Sequence, residues 1–158
     1  MRIVVISDSH KRTNVIDNIL SAENEATHVF FLGDNISDID DFEFLYPQKI
    51  FHKVSGNCDY ISNEPCVNIE IIENKKILYT HGHTYGVKYG TERLMEAAKN
   101  NSYDIVLYGH THISKILYED GIYIVNPGSC SKPRDGSRSS YAVIDITEQG
   151  IMPIIKYL

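Results

Sequence analysis

The sequence contains no tryptophan, only three cysteines, and no apolar run near the roughly 20 residues that a membrane-crossing helix needs. No membrane association is expected. Cys58, Cys66 and Cys130 are odd in number, and their spacing matches neither a disulfide framework nor a zinc finger. A metal-storage or sensing module built on soft thiolate ligands is therefore disfavoured. Basic residues form no run: 15 Lys and Arg against 21 Asp and Glu leave a net charge of −6, without the basic face that a broad grip on nucleic acid requires. That sign does not exclude a phosphate substrate, because a bound metal supplies positive charge locally. The opening stretch from Met1 to Ser7 is too short for a signal-peptide core and runs into charged residues, so it reads as a strand. With the unpaired thiols, this predicts a cytoplasmic protein.

Low-complexity segments and repeats are also missing, and 158 residues fit one domain spanning 1–158. Buried strands are expected at Arg2 to Ser7, His28 to Leu32 and Ile50 to Val54, with a helix over Asp17 to Ala22 that Thr13 is placed to cap. Cys66 to Ile72 and Lys76 to Thr80 read as a hairpin across Glu73-Asn74. A helix near Thr91 to Lys99 precedes strands at Ile105 to Tyr108, Ser114 to Tyr118, Ile122 to Val125, Tyr141 to Ile146 and Ile151 to Lys156. Such an α/β chain, rich in antiparallel pairing towards its C-terminus, buries its apolar faces best as two stacked sheets with outer helices. The eleven tyrosines are scattered without the spacing of a base-stacking platform.

Chemistry is concentrated where strands stop. Asp8 and His10 follow the first strand, Asp34 the second, Asn57 the third, and His81, His110 and His112 the later ones. Singly, each has a plain explanation: Asp8-Ser9-His10 makes a turn and a cap, and Gly33-Asp34 and Gly56-Asn57 are common turn dipeptides. Together they form a mixed oxygen and nitrogen donor set at the strand ends, where α/β folds bind ligands. The set exceeds what one ion takes from a protein. Two ions about 3.5–4 Å apart, sharing a carboxylate, accommodate all seven residues and leave room for a bridging hydroxide. His28 and His52 lie away from this pattern and read as structural or surface residues.

The order Asp8-x-His10, Gly33-Asp34, Gly56-Asn57, His81, Gly109-His110-x-His112 resembles the calcineurin-like metallophosphoesterases over essentially the whole chain. The short length, Thr80-His81-Gly82-His83 and Asn126-Pro127-Gly128-Ser129 are similar to the small bacterial and archaeal phosphodiesterase branch, to which the retromer cargo-binding subunit is related. The resemblance implies a four-layer α/β/β/α sandwich of two mixed sheets flanked by helices. It implies one ion on Asp8, His10, Asp34 and His112, and a second on Asp34, Asn57, His81 and His110. Mn²⁺ suits these donors best; Fe, Co, Ni and Zn are compatible. Two divalent ions against two carboxylates leave the site at about +2, or about +1 with hydroxide, which attracts a small phosphate ester or diester.

The chain departs from the wider family at Cys58, where that family carries a histidine; Asp59 follows as usual. A thiol of ordinary pKa near ~8.5 is a poor proton donor to a leaving oxygen at neutral pH. Asn57, Cys58, Asp59 and His83 are the candidate catalytic residues, with His83 or a metal-bound water as the alternative proton source. Asn126 and Arg134 are the candidate substrate contacts, although Pro127 and Gly128 read as a plain turn. The rival reading is a scaffold of the same fold without turnover. The retromer subunit departs from the enzyme pattern at the bridging aspartate and the asparagine, whereas Asp34 and Asn57 are both present here. An apolar sheet edge or helix face leaves room for a homo-oligomer.

Overall fold

Ile3 to Ile6 alternates apolar residues on both faces, as a strand must when it is covered on both sides. In the computed structural model, which describes residues 1–158, this segment is β1 (Arg2–Ile6), the central strand of a five-stranded sheet. Its neighbours are the parallel β2 (His28–Phe31), which pairs in turn with β3 (Ile50–Lys53), and the antiparallel β9 (Ser140–Thr147), which leads to β10 (Gly150–Tyr157). The second sheet has the order β4 (Val67–Ile72), β5 (Lys75–Thr80), β6 (Ile105–Tyr108), β8 (Ile122–Pro127), β7 (Ser114–Glu119).

Strand alternation assigns each apolar residue to a layer. Ile3, Val5 and Phe30 face inward against Ile77, Tyr79, Ile105 and Leu107 of the second sheet. Val4, Ile6, Val29 and Phe31 face outward and are covered by Ile16, Ile19 and Leu20 of α1 (Thr13–Ala22) and Phe42 of α2 (Asp40–Leu45). On the far side, Leu94, Met95 and Ala98 of α3 (Glu92–Asn101) pack on Leu78, Val106 and Ile124. The result is the expected α/β/β/α sandwich of two mixed sheets. Phe30 is fully buried at its centre, edge-on to Tyr79 with centroids 4.9 Å apart, and its truncation to alanine costs about 3–5 kcal/mol.

The differences from the sequence reading are local. Helix α1 starts at Thr13 itself; Arg12 holds the cap position and no side chain caps the helix, so Thr13 does not cap it. Ile36 to Leu45, which the sequence did not mark as regular, forms a 3-10 turn running into α2. It is short and its apolar residues are interrupted by Asp38, Asp40, Asp41 and Glu43, and the packing of Ile39 and Phe42 decides its structure. β8 continues through Asn126 and Pro127, so the turn begins only at Gly128, with φ of 80°. Glu73 and Asn74 both take positive φ, 49° and 60°, as a two-residue hairpin with right-handed strand twist requires.

Candidate metal centre

The parallel strands β1, β2, β5 and β6 end at one rim, and their following residues leave the extended conformation abruptly. Asp8, His10, Asp34, His110 and His112 all have φ between 45° and 68°. A non-glycine residue in that region costs on the order of 1–3 kcal/mol, and such strain persists only where surrounding contacts enforce it. Close loop crossings supply that enforcement. A β-carbon at Gly56 would fall on Asp34 Oδ1, and one at Gly109 would fall on Ser7 Oγ, so the turns carrying Asp34 and His110 tolerate glycine alone beside them.

The turned side chains form two groups that share Asp34: Asp8, His10, Asp34 and His112 in one, Asp34, His81 and His110 in the other. Hydrogen bonds at the outer ring nitrogens define which way the imidazoles present themselves. His112 Nδ1 donates to the Lys132 carbonyl at 2.6 Å, and His81 Nδ1 donates to the Leu32 carbonyl at 2.7 Å. Each ring, with its Nδ1 committed to a carbonyl, therefore turns Nε2 inward. His112 Nε2 lies 3.1 Å from Asp8 Oδ1 and His81 Nε2 lies 3.4 Å from Asp34 Oδ1. Asp8 Oδ1 is buried and accepts no hydrogen bond. An imidazole nitrogen this close to a carboxylate oxygen is stabilised by a proton or a metal cation shared between them, and the donor set of oxygen and imidazole nitrogen suits a divalent metal.

Titration follows the same logic. Burial disfavours charge on His112, but Asp8 and the Lys132 carbonyl outweigh it and raise its proton affinity. Burial likewise opposes ionisation of Asp8, yet His112, His81 and Ser7 hold its carboxyl below the ordinary range. His110, His10 and His83 go the other way. Burial, followed by the neighbouring His81 and Lys88, pushes His110 down to about 4. Burial also lowers His10 and His83, so all three are neutral at pH 7; His10 Nε2 lies 3.3 Å from His112 Nε2, and His110 Nδ1 3.1 Å from His81 Nε2.

The other predicted site residues are distributed around these groups. Asn57 is exposed and its amide contacts Cys58 Sγ at 3.4 Å, while its chain neighbours Gly56 and Cys58 both touch Asp34. Burial, then Asp34 and Asp59, raise the Cys58 thiol above its usual pKa and keep it protonated. Asp59, expected to take part in the chemistry, accepts backbone N–H groups from Asp34, Asn35, Ile36 and Gly56 at 2.7–2.9 Å; it braces the Asp34 turn. His83 stays beside the second group, its ring 5.5 Å from His81, with a buried Nδ1 that has no partner. Asn126, expected to contact substrate, is buried and donates to the Gly109 carbonyl and Thr111 Oγ1, both at 3.0 Å, while accepting from Gly128 N–H. It holds the His110–His112 turn. Arg134 is exposed, and its backbone N–H reaches the His112 carbonyl at 3.4 Å.

Sequence reading missed a layer of supports. Asp38 accepts from Ser9 Oγ at 2.6 Å and Lys11 N–H at 2.7 Å, clamping the turn between Asp8 and His10. Ser7, Ser129 and Ser131 bond Asp8 through its carboxylate or carbonyl at 2.6–3.0 Å. Asp38 sits in the segment whose structure the sequence did not show. The serines are too common a residue type to signal anything by themselves.

The model of the calcineurin-like phosphoesterase superfamily domain matches residues 1–149. The chain belongs to that superfamily. Within it, the probable metallophosphoesterase YsnB of Bacillus subtilis is 29% identical over 148 residues, covering 92% of this chain and 85% of that protein. The crystal structure of a predicted phosphoesterase from Streptococcus pneumoniae superimposes with a TM-score of 0.79 at 25% identity, covering 98% of this chain and 97% of that one. A zinc-bound Vps29 of Entamoeba histolytica shares the fold with a TM-score of 0.74 at 21% identity, over 99% of each chain. The phosphoesterase superfamily and its sandwich fold are therefore common to this chain and its relatives, and the paired His/Asp groups stand where that superfamily fold gathers its strand ends.

Proposed function

We propose that this phosphoesterase-family chain is a two-metal enzyme that hydrolyses small phosphodiesters. The observation that carries the reading is the pair of inward-facing donor groups joined by Asp34. Asp8, His10, Asp34 and His112 would hold one ion; Asp34, His81 and His110, with Asn57 swinging in beside Asp34, would hold the other. Divalent ions there supply a nucleophile at neutral pH and neutralise charge developing on the phosphoryl oxygens. Mn²⁺ is the proposed native metal, with Fe, Co, Ni and Zn compatible with the same donors. The setting is proposed to be cytoplasmic, consistent with the free thiols of Cys58, Cys66 and Cys130.

The chain's own groups then account for orientation and proton handling. Asp59 fixes the Asp34 turn, and Asn126 fixes the His110–His112 turn, so both act through others. His83, neutral and with Nδ1 unused, faces the second group as a hydrogen-bonding partner for substrate or water. Cys58, a protonated thiol of raised pKa, is a weak acid beside the leaving oxygen. Arg134 is available for phosphate oxygens. Without a strong acid, esters of good leaving groups should be hydrolysed much faster than alkyl esters.

The deciding experiment is hydrolysis of bis(p-nitrophenyl) phosphate by metal-stripped protein with Mn²⁺ restored, beside Asp34→Asn. Metal-dependent turnover that falls by more than about 100-fold in the variant supports the proposal. Metal binding without turnover of this diester or of the monoester would favour the scaffold reading, which the likeness to Vps29 keeps as the alternative.

A further inference from the structure

A cavity of about 490 Å³ opens on one side of the metal centre, bounded by Thr111, which lies between His110 and His112, and by Lys88, Lys115, Arg134, Tyr89 and Tyr108. Every charged side chain on its wall is a cation, in a chain whose net charge is −6. None of the three has a carboxylate within ion-pairing distance, as is also true of Lys11, Arg12, Arg93, Lys132 and Arg138; what sets the three apart is that they line one space with no carboxylate on its wall. Three unneutralised cations around one space repel one another, and an anion between them removes that cost. Tyr89 presents a ring that is 97% exposed at the cavity mouth.

The opposite flank provides the contrast. There a cavity of about 580 Å³ is lined by Asp40, Asp59 and Glu64 with one cation, Lys53. Lys53 is already paired with Asp40 at 3.3 Å and Glu43 at 2.8 Å. An anionic group is excluded from that side and favoured on the other.

We propose that the Lys88–Lys115–Arg134 cavity is a subsite for a second, uncleaved phosphate, so that the natural substrate is a small phosphoester carrying two phosphate groups. The inference rests on the phosphoesterase reading and extends it. Tyr89 gives the part of the substrate between the two phosphates an aromatic face to lie on.

Two chromogenic probes isolate the effect: thymidine 5′-(p-nitrophenyl phosphate) and the same compound with a 3′-phosphate. Their scissile bonds and leaving groups are identical. With Mn²⁺-loaded protein, the 3′-phosphorylated probe should show a KM about tenfold lower. Lys88→Ala and Lys115→Ala should each remove that advantage, and Lys115→Ala should do so while leaving the unphosphorylated probe and bis(p-nitrophenyl) phosphate unaffected. Both lysines are exposed, Lys88 in a loop and Lys115 on an edge strand, so neither change disturbs the core. Equal KM values for the two probes in the wild type, or variants that slow both probes alike, would overturn the subsite. If no probe is hydrolysed, the esterase reading fails separately, and calorimetric binding of thymidine 3′,5′-bisphosphate decides the subsite. Binding weakened about tenfold in either lysine variant supports it; absent binding, or binding indifferent to both lysines, refutes it.

Discussion

The two flanks of the candidate metal centre are built from the same kind of part and carry opposite charge. On the Cys58 side, Asp59 gathers four backbone N–H groups to hold the turn of Asp34, and its carboxylate neighbours cancel Lys53. On the Lys88 side, the uncharged Asn126 holds the His110–His112 turn, and the nearby cations have no partner. A brace for a metal-ligating turn needs only correctly placed acceptors and donors. Its charge is a separate variable, and here that variable distinguishes where a substrate's anionic and uncharged ends would lie.

The sharpest way to break this comparison is to remove the charged brace. Asp59→Ala leaves four backbone donors without their acceptor, and should lower stability by about 3–4 kcal/mol, read from urea denaturation. Activity with Mn²⁺ should fall together with metal affinity, because the Asp34 turn loosens. A result within about 0.5 kcal/mol of wild type would mean that water replaces the carboxylate and that it braces nothing.

Below the same flank, on β3, His52 lies between the sheets, stacked on Phe30 at 4.4 Å, with His28 Nδ1 2.8 Å from its Nε2. Burial, then His28, lowers its pKa from 6.5 to about 4. A histidine depressed on folding contributes stability that is fully present above about pH 6.5 and is lost as pH falls towards 4. The loss should be on the order of 2–3 kcal/mol. The thermal midpoint of metal-free protein should therefore drop more between pH 7 and pH 4.5 in wild type than in His52→Gln, and equal drops would contradict this account.

A smaller effect is expected from the neutral brace. Asn126→Ala should cost about 2 kcal/mol and weaken binding of both proposed ions, because the turn it holds carries one donor of each group. Metal affinity equal to that of wild type would show that the turn keeps its shape without this brace. Smallest of all, Cys58→His should raise turnover of alkyl relative to aryl diesters by about tenfold or less. No change in that preference would mean that the thiol position is only a packing site.

Much of the site could be read from the chain because its ligands sit at strand ends. Asp8, Asp34, His81 and His110 each follow an apolar run that must be buried, and a buried strand brings its end to a common rim whatever the intervening loops do. The hairpin at Glu73-Asn74 was readable for a similar reason: a two-residue turn between alternating strands has few solutions. By contrast, Ile36 to Leu45 is too short and too interrupted by acidic residues to hold a helix by itself, and it became structured because Ile39 and Phe42 found a sheet to cover. Asp38, inside that segment, was invisible with it. Asp59 and Asn126 pointed to chemistry by their position in motifs, yet their contacts give them supporting roles.

Residue order alone determined the superfamily pattern, the two stacked sheets and the identity of the groups that gather at their rim, since burial of alternating apolar strands and the reach of short turns leave little freedom. Tertiary structure decided which nitrogen of each imidazole faces inward, which carboxylate is a brace, and how charge divides between the two flanks. These depend on which distant residues meet, as His112 meets Lys132 and Asp59 meets Asp34, and on Lys88 and Lys115 lining one cavity. Only folding sets the distances on which hydrogen bonds and Coulomb interactions depend.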